Sequence, residues 1–138
     1  MTFTLHPNFE KKHHIIDLPL CKVFLEDECL YPWILLIPQK PNVTKIIDLS
    51  LDDQILFHKE GSLAQKIIWD LFKPDQLNVA AIGNKTPQLH LHIIGRYQND
   101  PAWPGTVWDH PIRKKYTESE LNQIEHNLKQ AFYQAAQI

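Results

Sequence analysis

The run Pro87-Gln88-Leu89-His90-Leu91-His92-Ile93-Ile94-Gly95-Arg96 constrains the fold of this 138-residue chain more than any other stretch. Polar and apolar side chains alternate along it, and alternation at period two marks a strand with one face turned to a core. Leu89, Leu91 and Ile93 then share the core face, while Gln88, His90 and His92 share the other. The two imidazoles sit about 6.6 Å apart along the backbone, from a ~3.3 Å rise per residue. A lone strand leaves its backbone amides and carbonyls unpaired on both sides, so the chain must build a sheet around this one.

The neighbours are visible in the same terms. Leu20 to Leu25 and Trp33 to Ile37 are rich in β-branched and aromatic residues and read as strands, with Glu26-Asp27-Glu28 as an acidic turn between them. Pro38 and Pro41 close the second, because proline cannot donate to a ladder. Gln76 to Ile82 reads as a further strand, joined to the histidine strand, Leu89 to Tyr97, by the loop Gly83-Asn84-Lys85-Thr86-Pro87. Ser50 followed by Asp53 starts a helix whose Leu56, Leu63, Ala64, Ile67, Ile68 and Leu71 recur at helical spacing until Pro74 stops it. Thr117 with Glu120 opens a terminal helix with Leu121, Ile124, Leu128, Ala131 and Phe132 on one face. Residues 1–17 read as polar and irregular, with His13-His14 beside Lys11-Lys12 on a solvated face. The expected architecture is one α+β domain over residues 1–138, an antiparallel sheet with a long central helix and a C-terminal helix.

Charge and composition narrow the partners. Fourteen Lys plus Arg against 16 Asp plus Glu leave a net charge of -2, too little field to hold duplex nucleic acid, though a local basic pocket for one phosphorylated ligand is compatible with it. The longest apolar stretch, Trp33 to Ile37, is far short of the ~20 residues that span a bilayer, and the N-terminus lacks a signal peptide's apolar run. A cytoplasmic protein with no membrane partner is expected. Cys21 and Cys29 make no disulfide framework and read as half-buried thiols.

The polar face of the histidine strand admits three readings. Its imidazoles are hydrogen-bonded structural groups, or two ligands of a metal whose third would come from Asp100, Asp109 or His110, or they carry nucleophilic chemistry. A neutral imidazole attacks phosphorus to give a reactive phosphoramidate, and His90 is the candidate.

At these residues the sequence resembles the histidine triad (HIT) family of nucleotide hydrolases and transferases. The family signature is His-φ-His-φ-His-φ-φ, with φ apolar. It stands here as Gln88-Leu89-His90-Leu91-His92-Ile93-Ile94, so Gln takes the first triad position. The order of elements from about Leu20 to Arg96 looks like the HIT fold, and Trp103-Pro104-Gly105 is similar to a segment found in several members.

The resemblance implies His90 as nucleophile and His92 as phosphate contact and proton handler. It also implies a weakened proton network at Gln88, since a carboxamide does not titrate. Restoring histidine there is expected to raise turnover. Asn78 is the nearest match to a nucleotide contact, with Asn84 a second candidate, and Arg96 is a phosphate candidate with a structural alternative. Phe24, Leu25 and Leu36 are candidate linings of a base pocket. No cofactor and no metal are implied.

The function so implied is hydrolysis of nucleotide phosphoanhydride or phosphoramidate bonds, diadenosine-polyphosphate-like substrates among them, through a covalent nucleotidyl-histidine. The alternatives are a catalytically weak nucleotide-binding or sensing protein and a metal-dependent hydrolase using His90 and His92 as ligands. A homodimer is expected, with Trp69 and Phe72 near the end of the first long helix as interface candidates.

Overall fold

The computed structural model describes residues 2–136. Five strands, β1 (His13–Asp17), β2 (Cys21–Leu25), β3 (Trp33–Pro38), β4 (Gln76–Ala81) and β5 (Leu91–Arg96), form one sheet in the order β1-β2-β3-β5-β4. Every neighbouring pair is antiparallel. The histidine strand is therefore paired on both sides, and β1 and β4 are the edges.

Strand β1 corrects the expectation that residues 1–17 are irregular. Its alternation is broken by a register shift between His14 and Ile16, so no run of period two is long enough to reveal it. His13 is also less solvated than expected: its ring lies 3.6 Å from Asp27 and 3.7 Å from Glu125. His14 stays half exposed beside Asp17. A second correction concerns β5, which begins at Leu91, so Gln88, at a bend, and His90 precede the ladder.

Helix α1 (Leu51–Phe72) starts where Ser50 Oγ accepts from the Asp53 amide at 3.1 Å, and it ends at Lys73, whose φ of 47° is left-handed, before Pro74. Helix α2 (Glu118–Ala136) opens with a reciprocal cap, the Glu120 amide donating to Thr117 Oγ1 at 3.2 Å and the Thr117 amide to Glu120 Oε1 at 2.9 Å. Phe57, Ala64, Ile67 and Ile68 of α1 and Leu128 and Phe132 of α2 pack into one core with Val23, Leu25, Ile34, Leu36 and Ile93. Each fully buried side chain of this size contributes roughly 1.5–3 kcal/mol.

Both helices thus cover the same face of the sheet, which is the α+β architecture expected from the sequence. Trp33, Leu35, Ile37 and Ile94 face the other way, into a smaller cluster with Phe9 and Val107. Those two come from single turns, Pro7–Phe9 and Val107–Asp109, in otherwise irregular segments. The covering on that face is thin, and it leaves an opening over His90 and His92. No helix among the described residues is long and apolar enough to cross a membrane.

Candidate active site

His90 and His92 sit where the chain enters β5, with ring centroids 4.8 Å apart and planes at 75°. Both are nearly buried, at 6% and 8% exposure. Each ring has one nitrogen committed to the protein, and the partner decides the tautomer. His90 Nδ1 lies 2.7 Å from the carbonyl oxygen of Gln88. A carbonyl only accepts, so Nδ1 carries the proton and Nε2 keeps its lone pair. His92 is the reverse case. Trp33 Nε1, which only donates, gives its proton to His92 Nδ1 at 3.0 Å, so the His92 proton is on Nε2. The two rings present one basic nitrogen and one N–H donor, a pairing suited to attack on an electrophile whose oxygens need hydrogen bonds.

Burial favours the neutral form of both rings. It lowers the His90 pKa, with Lys12 acting in the same direction and the hydrogen bond to the Gln88 carbonyl opposing it. The same cause, with smaller contributions from His90 and Lys12, pushes His92 down to about 3. At neutral pH the pair is uncharged.

The histidines open on a cavity of about 460 Å³ whose positive charge comes from Lys12, Lys85 and Arg113. Lys12 is ion-paired with Glu26, and Asn8 donates to Thr86 Oγ1 at 2.8 Å across the rim. Aromatic edges frame it. Phe9 meets His90 edge-on at 5.0 Å, Trp108 meets His92 at 5.0 Å, and Trp33 meets His92 at 5.7 Å. The lining suits a phosphorylated ligand with a flat apolar part.

The residues singled out from sequence separate in space. Asn84 lines the cavity with the two histidines. Gln88 does not turn its amide to the His90 ring: Nε2 donates to the Thr4 carbonyl and Oε1 accepts from the His6 amide, both at 2.8 Å. Asn78 and Arg96 meet each other instead of the cavity. Arg96, 2% exposed, donates to Asn78 Oδ1 at 2.7 Å and makes a two-pronged ion pair with Asp100 at 2.8 and 3.0 Å.

Burial alone would raise the Asp100 carboxyl, but Arg96 and the amides of Tyr97 and Trp103 override it and hold the pKa below the usual range. Leu25 and Leu36 lie on the helix side of the sheet, and Phe24 is buried in the other cluster, with Leu35 taking the place at the cavity wall. Asp100 is engaged by Arg96, and Asp109 accepts from Thr106 Oγ1 at 2.8 Å. Among the described residues, no group of three His, Cys, Asp or Glu side chains is placed to hold a metal ion.

Asn8, Phe9, Lys12, Trp33, Trp108 and Arg113 are the site residues that the sequence left unmarked. A basic Lys11-Lys12 pair was the one local signal among them, and it read as solvated surface.

A five-stranded antiparallel sheet with both helices on one face and a His-x-His pair opening on the other defines a histidine-triad type of protein. The family model described as the HIT domain matches residues 8–99, and the chain belongs to that family. A histidine triad protein from Marinobacter aquaeolei VT8 superposes with a TM-score of 0.92 at 36% identity, over 97% of this chain and 98% of its own. One from Bradyrhizobium japonicum does so with a TM-score of 0.91 at 36% identity, over 95% and 98%. The bis(5'-adenosyl)-triphosphatase of Saccharomyces cerevisiae is 31% identical over 70 residues, 47% of this chain, and the chain spans about a third (34%) of that relative's length.

Proposed function

We propose that the chain is a nucleotide hydrolase that cleaves phosphoanhydride or phosphoramidate bonds in dinucleoside-polyphosphate-like substrates through a nucleotidyl group on His90. The observation that carries this reading is the bond from His90 Nδ1 to the Gln88 carbonyl, which leaves Nε2 as a lone pair beside a cationic cavity. The yeast relative's name, a bis(5'-adenosyl)-triphosphatase, supports the substrate class.

In the first step Nε2 of His90 forms a bond to the α-phosphorus as the bond to the leaving group breaks. The imidazole becomes a cation whose Nδ1 proton the Gln88 carbonyl continues to hold. His92 Nε2–H and the amide of Asn84 donate to the phosphoryl oxygens as charge grows on them, and Lys12, Lys85 and Arg113 offset the polyphosphate charge. In the second step water attacks phosphorus, the phosphorus–nitrogen bond breaks, and His90 leaves as neutral imidazole while the water proton passes to solvent. Asn78 and Arg96 act in this reading as supports of β4 and β5.

Two copies of the chain are proposed to pair. Strand β4 leaves one edge of the sheet open, and Val79 on it and Trp69 on α1 remain exposed. Light scattering at micromolar concentration is expected to give twice the chain mass.

The test of the catalytic reading is incubation with diadenosine triphosphate and tetraphosphate, with product identification and rapid-quench mass spectrometry. AMP as a product and an adenylyl adduct on His90, labile in acid and stable in base, are expected. Tight nucleotide binding with no turnover would favour a sensing role instead.

A further inference from the structure

Resting on that reading, we infer that the site selects leaving groups that depart as anions, and so acts on phosphoanhydrides in preference to phosphoramidates, because neither residue flanking His90 has a proton to give. On one side, Gln88 is a carboxamide with both polar atoms committed to the main chain of Thr4 and His6. On the other, His92 holds a single proton on Nε2, and its Nδ1 accepts from the Trp33 indole. Giving up the Nε2 proton would leave an imidazolate, and taking a second proton on Nδ1 would require breaking the bond from the buried Trp33 indole. His92 is therefore a hydrogen-bond donor without being a general acid.

The attacking ring offers no proton either. When His90 Nε2 bonds to phosphorus, the remaining proton is on Nδ1, facing the Gln88 carbonyl and away from the leaving group. Lys12, Lys85 and Arg113 line the cavity as charges that stabilise a departing anion, and Lys12 is already tied to Glu26. A nucleoside diphosphate departs as a stable oxyanion, which this setting accommodates: the phosphorus–oxygen bond breaks and both electrons stay on oxygen. An amine cleaved from phosphorus must receive a proton as the phosphorus–nitrogen bond breaks, and among the described residues neither Gln88 nor His92 is placed to supply one.

The experiment compares kcat/KM for diadenosine triphosphate with that for adenosine 5'-phosphoramidate, two substrates that deliver the same adenylyl group. The anhydride is expected to win by at least about 10²-fold, the lower end of what a positioned general acid contributes. Trp33→Phe, which frees His92 Nδ1 to take a proton and act as an acid, is expected to narrow that ratio. A measurement on the unaltered chain keeps the inference open to refutation if the variant does not fold. Across aryl esters of AMP, the rate is expected to fall steeply as the leaving group's pKa rises.

Comparable kcat/KM for anhydride and phosphoramidate, or a flat dependence on leaving-group pKa, would overturn the inference while leaving the hydrolase reading in place. No turnover of any of these substrates by the folded chain would instead remove the hydrolase reading, and the inference with it.

Discussion

Trp33 Nε1 donates to His92 Nδ1 at 3.0 Å between the adjacent strands β3 and β5, and this bond decides which nitrogen of His92 faces the cavity. Trp33→Phe keeps an aromatic ring in the cluster and removes the donor. The His92 pKa should then rise from about 3, because Nδ1 becomes free to take a proton, although burial still holds it below the ordinary 6.5. Imidazole resonances followed by nitrogen NMR through an acid titration would show the rise and a mixture of tautomers. A His92 titration unchanged in the variant would mean that the indole does not control the ring.

Substituting the two histidines should have unequal consequences. His90→Ala removes the atom proposed to attack phosphorus and should cost several orders of magnitude in kcat, with nucleotide affinity largely kept by the cationic rim. His92→Ala removes the donor proposed to stabilise the growing charge and should cost roughly 10²- to 10³-fold, on the scale of other such donors. Single-turnover rates with labelled diadenosine triphosphate would separate the two, and equal losses would count against the assigned roles.

Gln88→His should lower activity, reversing the outcome expected from the sequence. The Gln88 amide ties the segment Thr4–His6 to the start of the histidine strand, and that segment leads directly into Asn8, Phe9 and Lys12 at the cavity. An imidazole cannot reproduce both 2.8 Å bonds, so hydrogen exchange of residues 4–12 should quicken by roughly tenfold, the scale of one to two net hydrogen bonds. KM should rise with it. A faster enzyme with an unchanged exchange pattern would restore the view that Gln88 stands in for a proton relay.

What could be read from the chain itself follows the length over which a pattern persists. The histidine strand, both helix caps and the Pro74 stop are local signals written in consecutive residues, and each lies where its pattern places it or within two residues of it. Strand β1 was hidden because the shift between His14 and Ile16 interrupts its alternation. The cavity was hidden for another reason. Trp33 is 59 positions from His92, and Phe9, Trp108 and Arg113 come from irregular segments that carry no periodicity. The spacing of Gln88 shows its place in the motif but not that the backbone of a distant segment lies against its amide. Arg96 carried a clue that was legible, with an acidic partner four residues on at Asp100.

The pH dependence has a defined sign. Burial lowers the His90 pKa, so the neutral, nucleophilic form persists below 6.5, and the acid limb of kcat/KM should fall at a lower pH than free imidazole would give. Stability follows the same shifts. For His92 the unfolded chain binds a proton below 6.5, whereas the folded chain stays neutral until about 3. The unfolded state therefore gains protons first, and stability should decline as pH drops through that window. Thermal unfolding between pH 7 and 4 should show a shallower decline in His92→Phe than in the native chain.

Arg96→Leu distinguishes a structural from a phosphate-binding role for this arginine. The side chain is 2% exposed, bonded to Asn78 on β4, paired with Asp100, and stacked near Tyr31 and Trp103 at 5.5 and 5.9 Å. Removing it leaves the Asp100 carboxylate buried without its partner, which should cost about 3–5 kcal/mol, a large part of a small domain's stability. Asp100 should at the same time titrate upward, because the interaction that holds its pKa down is gone while burial remains. In the fraction that stays folded at low temperature, KM for the dinucleotide should be nearly unchanged, since Arg96 does not line the cavity that holds His90. Chemical denaturation gives the first quantity and cold-temperature kinetics the second. A KM raised tenfold or more in a chain of native stability would put Arg96 back at the phosphate.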